Sequence, residues 1–504
     1  MSVETRLGLA VLGTALLLGA LADGLLRETQ LGLNYSLWIA TFVAALVLLA
    51  AWRGVPLDDG RRWMLPLLVV FGALFSWRDS AWLLGLDLFA IMTALGLGVL
   101  HNPGVRPQLA GLGDHARGWL TAAGAGFGGV VKVLADVTWA EVPRGGRSRQ
   151  FAAVARGLAV AVPLLLLFGA FFEAADAAFD QLLGDLVPGL DGLDTHIVLF
   201  ISFAWVSAGL LRQYLAAAPA AESRKQRTGK PRRPALELGA IELGIVLGAL
   251  NLLFLAFVLV QLRYFFGGSS RVERTTGLTY ADYAREGFFE LVTVAALVLA
   301  VLLLVDWLRQ RTSRLGERIF RALSATLIVL LFVVMASALQ RMRLYQREYG
   351  LTELRLYTTA FMLFLAVVFV WFVVTVMRGK RERFAVGMLA AGLVSIFVLH
   401  AINPDALIAR TNIQRAREGK RFDVSYLERL SADATPTIAR ELPALVRTPG
   451  NLRTEAGYVA QQLLDKADSP EDWRSWSWSR ARANDSVSEH RAELEAFAQP
   501  ELRF

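Results

Sequence analysis

The sequence predicts an all-α, polytopic helical membrane protein of about eleven transmembrane helices, followed by a small α-helical extracytoplasmic domain. Three observations carry that reading. Of 504 residues, 55% are hydrophobic and the mean hydropathy is +0.46. Apolar tracts recur, each long enough to cross a hydrocarbon core of about 30 Å as a helix. They show no period of two, which excludes a barrel, and lipid leaves the helix as the other fold that satisfies every backbone amide. Beyond residue 403 the chain turns polar and stays so.

The expected spans are roughly 7–26, 31–52, 63–78, 81–100, 151–178, 194–215, 236–264, 284–307, 319–340, 354–377 and 384–402, the third being short. Residues 1–100 form N-terminal transmembrane helices. Residues 101–150 mix "HARGWL" and "VVKVLADVTW" with basic residues and are expected as a cytoplasmic, interfacial amphipathic segment. Residues 151–402 form the main bundle and 403–504 the soluble domain. Arg6, an apolar stretch and "ALAD" at 20–23 mimic a signal peptide, but the leading segment carries one Arg and one Glu, so it reads as an uncleaved first span.

Composition removes several function classes. There are no cysteines, hence no disulfide, thiolate nucleophile or Cys-ligated metal. The five histidines (His101, His115, His196, His400, His490) lie far apart without metal-ligand spacing, so no metal and no cofactor are expected. The net charge of +8 follows from topogenic lysines and arginines rather than from nucleic-acid binding. "GAGFGG" at 124–129 fits a dinucleotide-binding pattern, but no strand precedes it. Gly244 and Gly248 make a GxxxG packing face. Glu242 and Asp306 lie near cytoplasmic ends, Asp306 paired with Arg309 at i,i+3.

Orientation follows from the loops. With the N-terminus in the cytoplasm, 26 basic residues fall on cytoplasmic loops and 10 on the opposite ones. "ESRKQRTGKPRR" (222–233) is the strongest cytoplasmic anchor, and eleven spans put the C-terminal domain outside. "RMRLYQREYGLTELRLY" (341–357) breaks that trend. It faces outward yet holds four arginines, two glutamates and three tyrosines.

Other polar residues share its level. Arg263 ends the seventh span, with Gln261 and Tyr264 beside it, and Tyr280, Tyr283, Arg285, Glu286 and Glu290 open the eighth. Thr279 and Asp282 have capping-box spacing, and Glu286 and Glu290 share a face. His400, Asn403 and Asp405 end the eleventh span. Asp23, Asp87, Glu173, Asp176 and Asp180 lie toward outer ends of earlier spans. Charges in spans cost at least about 2.5 kcal/mol, so they pair, face the interior or mark a pathway. The expected ligand-binding set is Arg263, Tyr280, Tyr283, Arg285, Glu286, Glu290, Arg341, Arg343, Tyr345, Arg355, His400, Asn403 and Asp405. In the 341–357 stretch, Gly350 should free the turn, Thr352 should cap the tenth span, and Arg355, opposing the dipole there, needs a partner, with Glu286 and Glu290 the nearest candidates. The structural alternative is a set of ion pairs and snorkelling arginines.

In the C-terminal domain, Asn403 caps a helix whose first turn holds Pro404 and Asp405, and Gly419 stops it. Short helices are expected near 424–430, 436–446, 452–466, 470–478 and 487–498. "DWRSWSWSR" (472–480) suits interfacial anchoring or packing onto the membrane domain, with a ligand platform as the alternative.

"YADYAREGFFELV", "RMRLYQREYGLTELRLY", "NPDALIARTNIQRA" and "DWRSWSWSR" resemble bacterial multi-pass membrane proteins grouped as domain-of-unknown-function family 4173, over roughly 230–500. The resemblance implies a bacterial cytoplasmic-membrane protein and supplies no activity. The expected partners are the bilayer and an anionic lipid or small anionic ligand, with no nucleic acid. Oligomeric state and ligand are not legible. Three functions are carried forward: binding or transport of an anionic ligand or lipid head group; a membrane-embedded transferase or hydrolase on a lipid-linked substrate, with Glu286 or Glu290 as base; and an envelope sensor or scaffold. A closed cluster of satisfied charges favours the last.

Overall fold

The computed structural model describes residues 1–57, 59–100, 110–139, 157, 193–215, 237–265, 288–309, 314–420, 423–446, 453–470 and 472–498. Regular structure among them is helical, apart from an isolated backbone bridge between Leu238 and Arg309. Among the described residues ten helices are long and apolar enough to cross a membrane, and the chain is an all-α polytopic membrane protein. Nine of them coincide with expected spans. The expected span 151–178 and the basic stretch 222–233 lie outside the described residues. The short third span is a 16-residue helix, Asp59–Leu74.

The chain forms two compact units, Met1–Ala220 with Pro470–Ala481, and Ala221–Ser469 with Arg482–Phe504. The first contains α1 (Val3–Leu26), α2 (Leu33–Arg53), α3 (Asp59–Leu74), α4 (Ala81–Val99), α5 (Leu112–Asp136) and α6 (Leu193–Leu215). Val11, Leu18, Phe42, Leu46, Met64, Leu68, Phe75 and Tyr214 form its core. Ser2 caps α1 through the Thr5 amide. Helices α1 and α6 run antiparallel. The His196 ring meets the Asp23 carboxylate at 2.7 Å, and Gly19 leaves room for the backbone of Phe200. At the opposite end Tyr214 donates its hydroxyl to Leu95 O at 2.8 Å, and Arg61 donates to Tyr214 O at 2.6 Å.

Helix α5 differs from its neighbours. Its length and composition would let it cross a membrane. Its named partners are nevertheless Gly96 and Leu100 at the end of α4, Gly209 and Arg212 near the end of α6, and Thr5 and Gly8 at the start of α1. Those residues share one end of the unit. The helix also reaches farther along its neighbours, with Trp119 packed on Phe89 at 5.0 Å between ring centroids and Trp205 donating to Phe127 O at 2.7 Å, so α5 packs beside α4 and α6 toward that end. "GAGFGG" is in the middle of α5, not in a phosphate-binding turn.

The second unit contains α7 (Ala240–Phe265), α8 (Phe288–Leu308), α9 (Arg314–Tyr349), α10 (Glu353–Thr375), α11 (Phe384–Ile402), α12 (Pro404–Arg417), α13 (Thr435–Val446) and α14 (Arg453–Asp468). At one end the buried Asp306 pairs with Arg309 at 2.9 Å, as its spacing predicts, and also with Arg381 at 3.5 Å. Gln261 of α7 accepts from the Ser337 hydroxyl of α9 at 2.5 Å. A Cβ at Gly244 or Gly248 would meet nothing within 4 Å, so the expected GxxxG face is not packed against described residues. Beyond α11, Ile408, Ile413, Leu427, Ile438, Leu442, Val459, Leu463 and Leu494 are buried in a small apolar core.

Candidate functional site

Helix α9 has 36 residues and therefore runs about 54 Å, well beyond a hydrocarbon core. That length explains the arginine-rich stretch. Residues 341–349 are not a loop but the last turns of α9, and the chain reverses at Gly350, whose φ of +81° suits glycine.

A helix end leaves its last four carbonyls without intrahelical partners and carries partial negative charge. Here three cations meet them. Arg415 of α12 donates to Arg347 O at 3.1 Å and to Glu348 O at 2.5 Å. Lys420 donates to Arg347 O at 3.3 Å. Arg355, in the first turn of α10, donates to Gly350 O at 2.5 Å and Tyr349 O at 3.3 Å. Its guanidinium also lies 4.2 Å from the centroid of the Tyr345 ring, which stacks at a tilt with Tyr349. Asn412 completes the clasp. Its amide donates to Leu351 O and its carbonyl accepts from Leu351 N, both at 2.8 Å. The start of α10 is held by Tyr426, whose hydroxyl accepts from Glu353 N at 3.0 Å; Thr352 occupies the cap position without a side-chain hydrogen bond.

The electrostatics fit a partly desolvated cluster. Burial lowers the pKa of Arg415, Glu348 pulls it back and Arg355 adds to the fall, yet an arginine stays cationic. Burial raises the Tyr426 hydroxyl; its hydrogen bond from Glu353 opposes that, and the charges of Glu353 and Asp405 reinforce it.

Among the described residues, main-chain oxygens and a π face meet Arg355 where a carboxylate was expected. The physical reason is the C-terminus of α9: a row of unsatisfied carbonyls supplies the negative potential that α10 denies its first-turn arginine. Glu290 is exposed, and no ion pair to it occurs among the described residues. Arg343 and Arg347 are also exposed, and Arg341 is half-buried. Tyr280, Tyr283, Arg285 and Glu286 lie outside the described residues, as do Thr279, Asp282, Glu173, Asp176 and Asp180. Arg263 belongs to α7, but its side chain and that of Tyr264 are outside the described set. The structure thus brings Tyr345, Arg355 and, through α12, Asn403 and Asp405 into one region, and leaves Glu290 and Arg343 at the surface.

The α11–α12 corner is fixed separately. His400 is fully buried and donates from Nδ1 to Ile396 O at 3.0 Å. Asn403 takes a left-handed φ of 54° and its side chain accepts from Ala406 N, the predicted cap. Buried Asp405 accepts from Ser431 N at 3.2 Å and Oγ at 2.5 Å. Sequence reasoning missed Asn412, Arg415, Lys420 and Tyr426. The available signal was the stripe Asp405, Ile408, Asn412, Arg415, whose i,i+3/i+4 spacing puts polar residues on the apolar face of α12.

In the first unit "DWRSWSWSR" packs onto the N-terminal helices. Arg480 pairs with Asp79 and donates to Leu31 O at 3.0 Å. Arg474 donates to Gly24 O at 2.8 Å, Trp478 N to Ser76 O at 2.8 Å, and Leu33 N to Trp476 O at 2.9 Å. A Cβ on Gly32 would collide with the carbonyls of Ser475 and Trp476. The three tryptophans themselves stay largely exposed.

The chain matches one family model, a domain of unknown function (DUF4153), over residues 65–441. This corrects the motif resemblance in two respects: the family is a different one from 4173, and the match reaches into the first half of the chain, where no likeness was expected. No curated protein and no solved structure matches.

Proposed function

The chain belongs to the DUF4153 family, and on that footing we propose that it is a multi-pass protein of the bacterial cytoplasmic membrane acting as an envelope sensor or scaffold. In this reading the N-terminus and the basic loops are cytoplasmic, and the helices after residue 403 stand outside, as the lysine and arginine bias favours. One observation carries it. The arginines best placed to hold an anion, Arg355 and Arg415, are already committed to the carbonyls that end α9. A guanidinium so engaged couples two transmembrane helices to an external helix, and leaves few donors for a ligand. Movement of α12 would be transmitted to α9 and α10 through this clasp.

The second reading is an anionic ligand or lipid head group at the rim, favoured by the exposure of Arg343 and Arg347. Envelope phenotype separates the two. Cells lacking the chain are compared with cells carrying Asn412→Ala, Arg415→Gln, Arg343→Gln or Glu290→Gln, using detergent sensitivity and matched membrane levels of each variant. The sensor or scaffold reading expects Asn412→Ala and Arg415→Gln to resemble the deletion and the other two to resemble wild type. The reverse pattern supports the rim ligand instead.

A further inference from the structure

A second basic site lies at the other end of the first unit, where α5 crosses α6. Gly129 and Gly209 bring the two backbones together there; a Cβ on Gly209 would fall on Ala125 O. The missing side chains leave a cavity of about 220 Å³ lined by Thr121, Lys132, Arg212 and Gln213 besides the glycines. That is room for about seven waters, or for a tetrahedral oxyanion with part of its shell.

Its charge is positive. Arg212, which lines the cavity, is held in place by Asp136 at 2.6 and 3.1 Å, a fork that uses Nε and one Nη and leaves its Nη1 donors outside that pair. Lys132 is exposed and makes no ion pair among the described residues. Two cations against one carboxylate leave a net positive site whose remaining lining, a hydroxyl and an amide, supplies neutral hydrogen-bonding groups.

The outer surface of α5 says what kind of anion approaches. Leu120, Phe127 and Val131 are exposed and follow one another at spacings of seven and four, so they share a face. Thr121 and Lys132 border that face on one side. An apolar stripe beside a cationic edge, opposite the buried residues Ala122, Gly126 and Gly129 by which the helix packs beside its neighbours, is the pattern of a helix in the headgroup region. A soluble anion would not need the stripe.

We propose that the cleft between α5 and α6 binds the phosphate of an anionic phospholipid, with Lys132 and Arg212 as its cations and Leu120, Phe127 and Val131 among the surrounding acyl chains. The site is separate from the clasp at Gly350, and its lipid chemistry holds on either side of the membrane.

The full chain, purified in neutral detergent, is titrated with phosphatidylglycerol, with phosphatidylcholine and with inorganic phosphate, reading retained lipid by native mass spectrometry and the thermal midpoint in parallel. Saturable binding of phosphatidylglycerol is expected, weakened about tenfold by Lys132→Glu and kept by Lys132→Arg. Gln213→Ala, a milder second variant, should weaken it less, and Lys466→Glu, on the exposed face of α14, not at all. Equal binding of phosphatidylcholine, or unchanged affinity in both Lys132→Glu and Gln213→Ala, would overturn the proposal. So would inorganic phosphate reproducing the full thermal effect, since the acyl chains would then be irrelevant.

Discussion

The guanidinium of Arg355 lies 4.2 Å from the centroid of the Tyr345 ring while donating to Gly350 O at 2.5 Å. One planar group therefore joins the last full turn of α9 to the first turn of α10, using its edge for carbonyls and its face for an aromatic. A lysine has the charge but not the plane. Arg355→Lys should lower stability by about 1–2 kcal/mol. Arg347→Gln should stay within about 0.5 kcal/mol, because only the carbonyl of Arg347 is engaged and its side chain faces water. Thermal unfolding of both variants in one detergent checks the ordering.

Asn412 is the residue least replaceable in the clasp. Both of its amide groups pair with Leu351 at 2.8 Å, in a buried setting. Asn412→Ala strands a main-chain donor and acceptor, and a loss of about 2–3 kcal/mol is expected. Asn412→Asp retains the acceptor and loses the donor, so it should also destabilise. A midpoint for Asn412→Ala equal to wild type would show that water replaces the amide without cost.

Two glycines with left-handed backbones give an internal comparison. Gly350 has φ +81° and a Cβ there would lie 2.6 Å from Arg415 and Asn412 side-chain atoms; Gly419 has φ +76° and open space around it. Alanine at Gly419 should cost about 1 kcal/mol, from backbone strain alone. Alanine at Gly350 adds displacement of the clasp and should cost distinctly more, about 2–4 kcal/mol. Similar losses in the two variants would mean that Arg415 and Asn412 move aside freely.

Acid should weaken the helices beyond residue 403 in a traceable way. Burial alone would raise Glu441, but hydrogen bonds from Arg440 and Arg417 and their charges hold its pKa below the ordinary glutamate range. A depressed folded-state pKa stabilises fully above the unfolded value and is lost as pH falls through the folded one. Glu441→Gln should therefore remove a small part, about 0.5 kcal/mol, of the difference in stability between neutral pH and pH below the glutamate range. An unchanged pH dependence would place the carboxylate in free solvent.

The spans were legible because apolar length is a property of the sequence itself, and nine of the ten membrane-capable helices coincide with expected ones. The cap at Asn403 and the turn at Gly350 were legible for the same reason: each depends on local chemistry. The partner of Arg355 was not, because main-chain carbonyls carry no sequence signature; every residue has one. Glu290 was misleading in the opposite sense. Its depth along α8 was countable, but which face lies outward depends on neighbours the sequence does not order. For the tryptophan-rich segment, packing onto the membrane domain was one of the expected roles; its partners in the first unit were not legible, because they are reached through backbone bonds that no pairing pattern announces.

The placement of the α12–α14 helices outside, against the end of α9 that Arg355 and Arg415 cap, is tested most directly by cysteine labelling, because the chain has no native cysteine. Lys466→Cys lies on exposed α14 and Arg321→Cys near the start of α9, at the opposite end of that helix from Gly350. In intact spheroplasts a membrane-impermeant maleimide is expected to label Lys466→Cys and to reach Arg321→Cys only after lysis. Labelling of Arg321→Cys in intact spheroplasts, with Lys466→Cys protected until lysis, would contradict it.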